Sequence, residues 1–157
     1  MMLPLIEDVV GLAILALVLV QQLRPRPVRR IPYLGGVLAV IGSVALATLV
    51  LKHVVSPAGT ALLLTSLAVT AVLGIVRGLV TRVWWDADRG LLRQGGALTV
   101  ILWLVAIAQH IGADLLLPPG VGIATLSLFF GVSLVSQVVT IGVRSRGGAA
   151  QLADQQH

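Results

Sequence analysis

The chain has 157 residues, of which 57% are hydrophobic and 11% charged, and a formal net charge of +5. A soluble domain is about half apolar and about a quarter charged, so this composition excludes an ordinary water-soluble fold and points to the bilayer. Cysteine is absent, which excludes disulfides, thiolate zinc sites, iron–sulfur clusters and covalent c-type haem attachment.

A helical span takes about 20 apolar residues, and five such runs use almost the whole length. The first, at about 3–23, follows an acidic start (Glu7, Asp8) with no basic leading region, so it reads as a retained span and not a cleaved signal. Arg24-Pro25-Arg26-Pro27 ends it, and the stretch to Arg30 reads as a short stiff connector. The second run covers about 31–51, with Lys52 and His53 after it. Ser56-Pro57-Ala58-Gly59 makes a tight turn and supplies a cap for the third, about 58–80. The loop 81–96 holds strand formers (Thr81 to Trp85), a turn (Asp86 to Gly90) and a return segment. It reads either as an interfacial hairpin or as a kinked helix. The fourth run, about 97–117, ends at Pro118-Pro119-Gly120, and the fifth covers about 121–143. The Gly/Ala-rich tail 147–157 is expected to be disordered.

Sidedness comes from the basic residues. Arg24, Arg26, Arg29 and Arg30 follow the first run; Arg77, Arg82, Arg89 and Arg93 follow the third; Arg144 and Arg146 follow the fifth. Lys52 is alone in the second gap and the fourth gap has no base. The positive-inside rule then gives an all-α, five-span, multi-pass protein of the bacterial inner membrane, N-terminus outside and C-terminus cytoplasmic. Residues 1–146 form one domain. The basic charge is assigned to anionic lipid headgroups and not to nucleic acid.

Three groups of residues carry candidate chemistry. Arg77, Arg82, Trp84, Trp85, Asp86, Asp88 and Arg93 form an Arg/Trp/Asp block on the inner side. Guanidinium forks suit phosphate or carboxylate, tryptophan favours the headgroup level, and the aspartates are placed to orient the arginines. The plainer reading is a topogenic loop whose arginines snorkel to lipid. Near the outer side, Glu7, Asp8, His53, His110 and Asp114 approach one level, and His110 and Asp114 share a helical face. No metal-ligand spacing such as HExxH is present, and no metal or cofactor is assigned. Finally, Ser66, Thr70, Gly74 and Gly78 form a small-residue stripe at steps of four, matched by Ser133, Ser136, Gln137 and Thr140. Such stripes usually pack helices in lipid; a solute path along them is the minority reading.

The run Gly74-Ile75-Val76-Arg77-Gly78, followed by Thr81-Arg82-Val83-Trp84, Asp86, Gly90, Arg93-Gln94-Gly95, Thr99 and Leu102-Trp103-Leu104, resembles the CcdC-like family of small bacterial integral membrane proteins. The connector Arg24-Pro25-Arg26-Pro27-Val28-Arg29 fits the same pattern, and the resemblance extends over about residues 5–143. It implies a link to cytochrome c biogenesis gene neighbourhoods. It carries over no catalytic residue, because that family is itself of unknown function. Trp85 and Asp88 depart from its loop pattern.

Catalytic arrangements are poor: there is no nucleophile elbow, P-loop or dinucleotide turn. The expected function is a non-enzymatic accessory or interaction protein whose inner loop contacts lipid headgroups, a membrane partner or a second copy. The alternatives are a small oligomeric transporter or channel component, and a haem- or redox-handling protein using His53 and His110.

Overall fold

The structure, a computed structural model, describes residue 20, residues 23–28 and residues 33–154, with side chains described up to Arg146. Nearly all of the expected first span, with Glu7 and Asp8, lies outside the described residues, as do Arg29 and Arg30.

Four helices account for most of the rest: α1 (Tyr33–Leu51), α2 (Pro57–Val80), α3 (Ala97–Asp114) and α4 (Val121–Asp154). All four are long and apolar enough to cross a membrane, α4 over Val121–Arg146. Their starts and stops follow local chemistry. Ser56 Oγ accepts the Gly59 N–H at 3.1 Å and Pro57 opens α2, as its turn sequence predicts. His53, in the left-handed region at φ 54°, closes α1. The Val54 N–H returns to Leu49 O and the His53 N–H to Val50 O, each at 3.0 Å, satisfying two terminal carbonyls.

The bundle is turned inside out relative to a soluble protein. Val37, Val44, Ile75, Leu79, Ile101 and Ile123 are exposed, whereas Ser66, Thr70, Thr99, Thr125, Ser133 and Gln137 are buried. An apolar cluster of Val55, Leu63, Val121 and Phe129 closes one end. Helix α4 is the hub, packed along both α1 and α2, while α3 rests mainly on α2. Small residues allow these approaches: a Cβ at Gly42 would fall within the Leu128 backbone, and one at Gly131 within that of Ala39.

The all-α expectation needs one correction. A three-stranded antiparallel sheet, in the order β1-β3-β2, covers the other end: β1 (Arg26–Pro27), β2 (Arg82–Asp86) and β3 (Gly90–Gln94). The 81–96 loop is therefore a hairpin and not a kinked helix, and Arg26–Pro27 of the expected stiff connector add the third strand. Two further bounds differ. Helix α3 stops at Asp114, because Leu115 to Leu117 tighten into turns. Helix α4 continues to Asp154, through most of the tail expected to be disordered, where Ala149, Ala150, Gln151, Leu152 and Ala153 are good helix formers.

Candidate functional site

The sheet is built from the turn outward. Asp86 Oδ1 accepts the N–H groups of Asp88 at 3.1 Å and Arg89 at 2.9 Å, and Gly90 takes φ 74° to begin the return strand. Asp86 thus makes the turn itself. The register pairs Arg82 with Gln94, Val83 with Arg93, Trp84 with Leu92 and Trp85 with Leu91. On the other side of β3, Arg26 faces Arg93 and Pro27 faces Leu92. The Val28 N–H donates to Leu91 O at 2.9 Å and Gln94 Nε2 donates to Leu23 O at 2.8 Å. Pro27, with no N–H to donate, is tolerated because β1 is an edge strand.

Cross-strand partners share a face, so the sheet has two distinct sides. Leu92 is buried, which turns the Leu92–Trp84 side toward the helices. The opposite side carries Arg26, Arg93, Val83, Leu91 and Trp85, the last 74% exposed. Two arginines, Arg26 and Arg93, stand directly opposite each other on that side. At the same end Arg144 of α4 donates through Nη1 to Gly78 O at 2.7 Å and Thr81 O at 3.0 Å. It satisfies carbonyls left open where α2 ends. Arg26, Arg82, Arg93 and Arg144, drawn from all three basic stretches, thus lie at one end of the bundle.

Arg77 is not part of this surface. It is 0% exposed, enclosed by α2, α3 and α4. Its guanidinium carbon lies 4.1 Å from the Trp103 ring centroid, its Nε donates to Leu73 O at 3.3 Å, and its Nη2 donates to Ser133 Oγ. The expectation for Arg77 is a place in the interfacial block on the inner side, since an arginine near the end of an apolar run usually marks that end. Its spacing says otherwise: three residues after Gly74 and seven after Thr70, it shares the face of the small-residue stripe. That stripe packs as expected, with a Cβ at Gly74 meeting Ser133 O at 2.8 Å and one at Gly78 meeting Thr140 Cβ at 2.6 Å. Farther from the sheet, Gln109 of α3 bonds Ser66 Oγ through Nε2 and accepts from Thr70 Oγ1 at 3.2 Å.

At the far end the expected outer cluster divides. His110 and Asp114 do come together, but around the first turn of α4. Asp114 Oδ1 accepts the Gly122 N–H at 2.7 Å, and His110 Nε2 donates to Gly122 O at 3.2 Å with its ring 4.3 Å from Phe129. A carboxylate at a helix N-terminus is well placed against the helix dipole. His53 makes no hydrogen bond or ion pair with either residue, and its backbone role closes α1. Among the described residues there is no group of three or more His, Cys, Asp or Glu able to hold a metal.

No protein-family model matches the chain, and no curated protein or solved structure matches it either.

Proposed function

We propose that this chain is a non-enzymatic accessory protein of the bacterial inner membrane, with five spans, its N-terminus outside and its sheet and C-terminus on the cytoplasmic side. The sheet's outward face lies in the headgroup layer and contacts anionic lipid or the membrane domain of a partner, a second copy included. One observation carries this reading: a tryptophan and two opposed arginines, from segments about 66 residues apart in sequence, share the sheet face opposite buried Leu92. Tryptophan favours the interface and arginine the cytoplasmic leaflet. Membership of the CcdC-like family, with its cytochrome c biogenesis neighbourhood, is part of the same proposal and rests on the loop and Arg77-Gly78 motifs alone.

The test is lipid preference. In vesicles, and in a Trp103→Phe background that leaves Trp84 and Trp85 as the reporters, quenching by brominated phosphatidylglycerol is compared with quenching by brominated phosphatidylcholine. Each arginine near an anionic surface contributes about 1 kcal/mol, so Arg26→Ala with Arg93→Ala, the opposed pair on that face, removes about 2 kcal/mol, a roughly 30-fold loss of preference. The protein still inserts. Equal preference before and after the change refutes the reading.

The hydrogen-bonded line of Ser66, Thr70 and Gln109 inside the bundle favours a second reading, a small oligomeric solute path. Flux into vesicles that is lost in Gln137→Leu supports it; flux equal to empty vesicles removes it.

A further inference from the structure

Burying a guanidinium in a membrane bundle calls for hydrogen-bond partners on every face and a neutralising charge. Arg77 has neither in full. Its Nη1 is buried with no hydrogen-bond partner, and among the described residues its contacts are Leu73 O, Ser133 Oγ and the Trp103 ring, all uncharged. Two neighbours share the deficit. Trp103, 2% exposed on α3, leaves its Nε1–H without an acceptor; Gln137, 1% exposed on α4 one turn beyond Ser133, leaves both amide atoms unpartnered. Buried polar atoms in native proteins are nearly always satisfied. Here three unpartnered donors, one on each of three helices, lie at one level of the bundle: Trp103 stacks on Arg77, and Gln137 is one turn from the Ser133 that Arg77 bonds, its backbone carbonyl 2.9 Å from a Cβ built at Gly78.

That imbalance is specific. The site offers N–H groups from Arg77, Trp103 and Gln137, and among the described residues Gln137 Oε1 is its only open acceptor. A ligand rich in acceptors and negatively charged satisfies such a set; a cation or an apolar molecule does not. The stacking of Arg77 on Trp103 holds the guanidinium plane and leaves an edge, Nη1, free for a phosphate oxygen.

We infer that the Arg77–Trp103–Gln137 cluster is a binding site for a phosphate group, carried by a lipid headgroup or by a soluble anion. Depth allows both sources. Arg77 is three residues from the end of α2 and Trp103 six residues from the start of α3. At about 1.5 Å per residue the site sits within about 10 Å of the sheet end. Helix α3 meets α4 over far fewer residues than α2 does, and Trp103 and Phe130 pack across that thinner seam with ring centroids 5.7 Å apart. The site depends on the chain spanning the membrane and not on what the sheet contacts.

The experiment uses the full chain in detergent with Trp84→Phe and Trp85→Phe, which leaves Trp103 as the single tryptophan reporter. The probes are inorganic phosphate, dihexanoyl phosphatidylglycerol and dihexanoylglycerol, which lacks phosphate. A saturable change in Trp103 emission is expected with a phosphate-bearing probe and not with dihexanoylglycerol. Arg77→Gln weakens it about 10–100-fold, the range for a charged hydrogen bond, and Gln137→Leu about 3–10-fold. A response to the phosphatidylglycerol alone identifies a lipid source, and a response to inorganic phosphate as well identifies a soluble one. If Arg77→Gln does not fold, Gln137→Leu, which keeps the charge and the apolar packing, decides alone. No response to either phosphate-bearing probe overturns the inference. So does a response undiminished in the folded variants. The sheet's lipid preference is read from Trp84 and Trp85, which this background lacks, so the two readings fail separately.

Discussion

Gly78→Ala tests whether the contact between α2 and α4 is as close as the structure shows. A Cβ at Gly78 would lie 2.6 Å from Thr140 Cβ, 2.9 Å from Thr140 Cγ2 and 2.9 Å from Gln137 O. None of these atoms can easily give way. Gln137 O is backbone, and Thr140 is held by its hydroxyl, which donates to Ser136 O at 2.8 Å. The helices must therefore separate, an overpacking cost of about 1–3 kcal/mol. Gly112→Ala is the matched control. Both glycines sit two residues before the end of their helix, but a Cβ at Gly112 meets nothing within 4 Å. Each alanine gains about 0.8–1 kcal/mol of helix propensity, and that gain cancels in the comparison. Gly112→Ala should be more stable than the parent by up to about 1 kcal/mol, and Gly78→Ala should fall about 1–3 kcal/mol below it. Unfolding in mixed micelles, titrated with dodecyl sulfate and followed by circular dichroism, reads the difference. Equal stability of the two variants would show that α2 and α4 do not touch along Gly74 and Gly78, and the enclosure of Arg77 would go with it.

Two other substitutions probe the ends of the bundle. Asp114→Ala leaves the Gly122 N–H without its acceptor and removes a carboxylate from the α4 N-terminus, a loss of about 1–2 kcal/mol in the same titration; no loss would mean that the clasp does not form. Arg144→Met frees the carbonyls of Gly78 and Thr81 and should cost about 1.5–3 kcal/mol, with Arg144→Lys recovering part of it. If the methionine variant matches the parent, the end of α2 is satisfied by something other than Arg144.

The four described helices were legible because lipid imposes a simple code: an apolar run of sufficient length, ended by proline, charge or a capping serine. Ser56-Pro57 and Pro118-Pro119-Gly120 are read correctly on that basis, and Asp86 to Gly90 already offered a hairpin. What the sequence concealed is non-local. Arg26 and Pro27 read as a rigid connector, since nothing local announces pairing with Arg93 and Leu92 across some 66 residues. Arg77 followed the habit of arginine at span ends, although its register with Thr70 and Gly74 placed it on the packing face. His110 and Asp114 were recognised as a pair, yet their partner, Gly122, lies in the next helix and is visible only once α3 and α4 are folded together.

Because the chain lacks cysteine, single substitutions report sidedness without background. Ala87→Cys lies at the hairpin tip and Pro119→Cys in the turn before α4, at opposite ends of the bundle. In intact cells a membrane-impermeant maleimide should label Pro119→Cys, and Ala87→Cys only after permeabilisation. Labelling of Ala87→Cys from outside, with Pro119→Cys protected, would put the arginine-bearing sheet on the wrong side and contradict its assignment to the cytoplasmic headgroup layer.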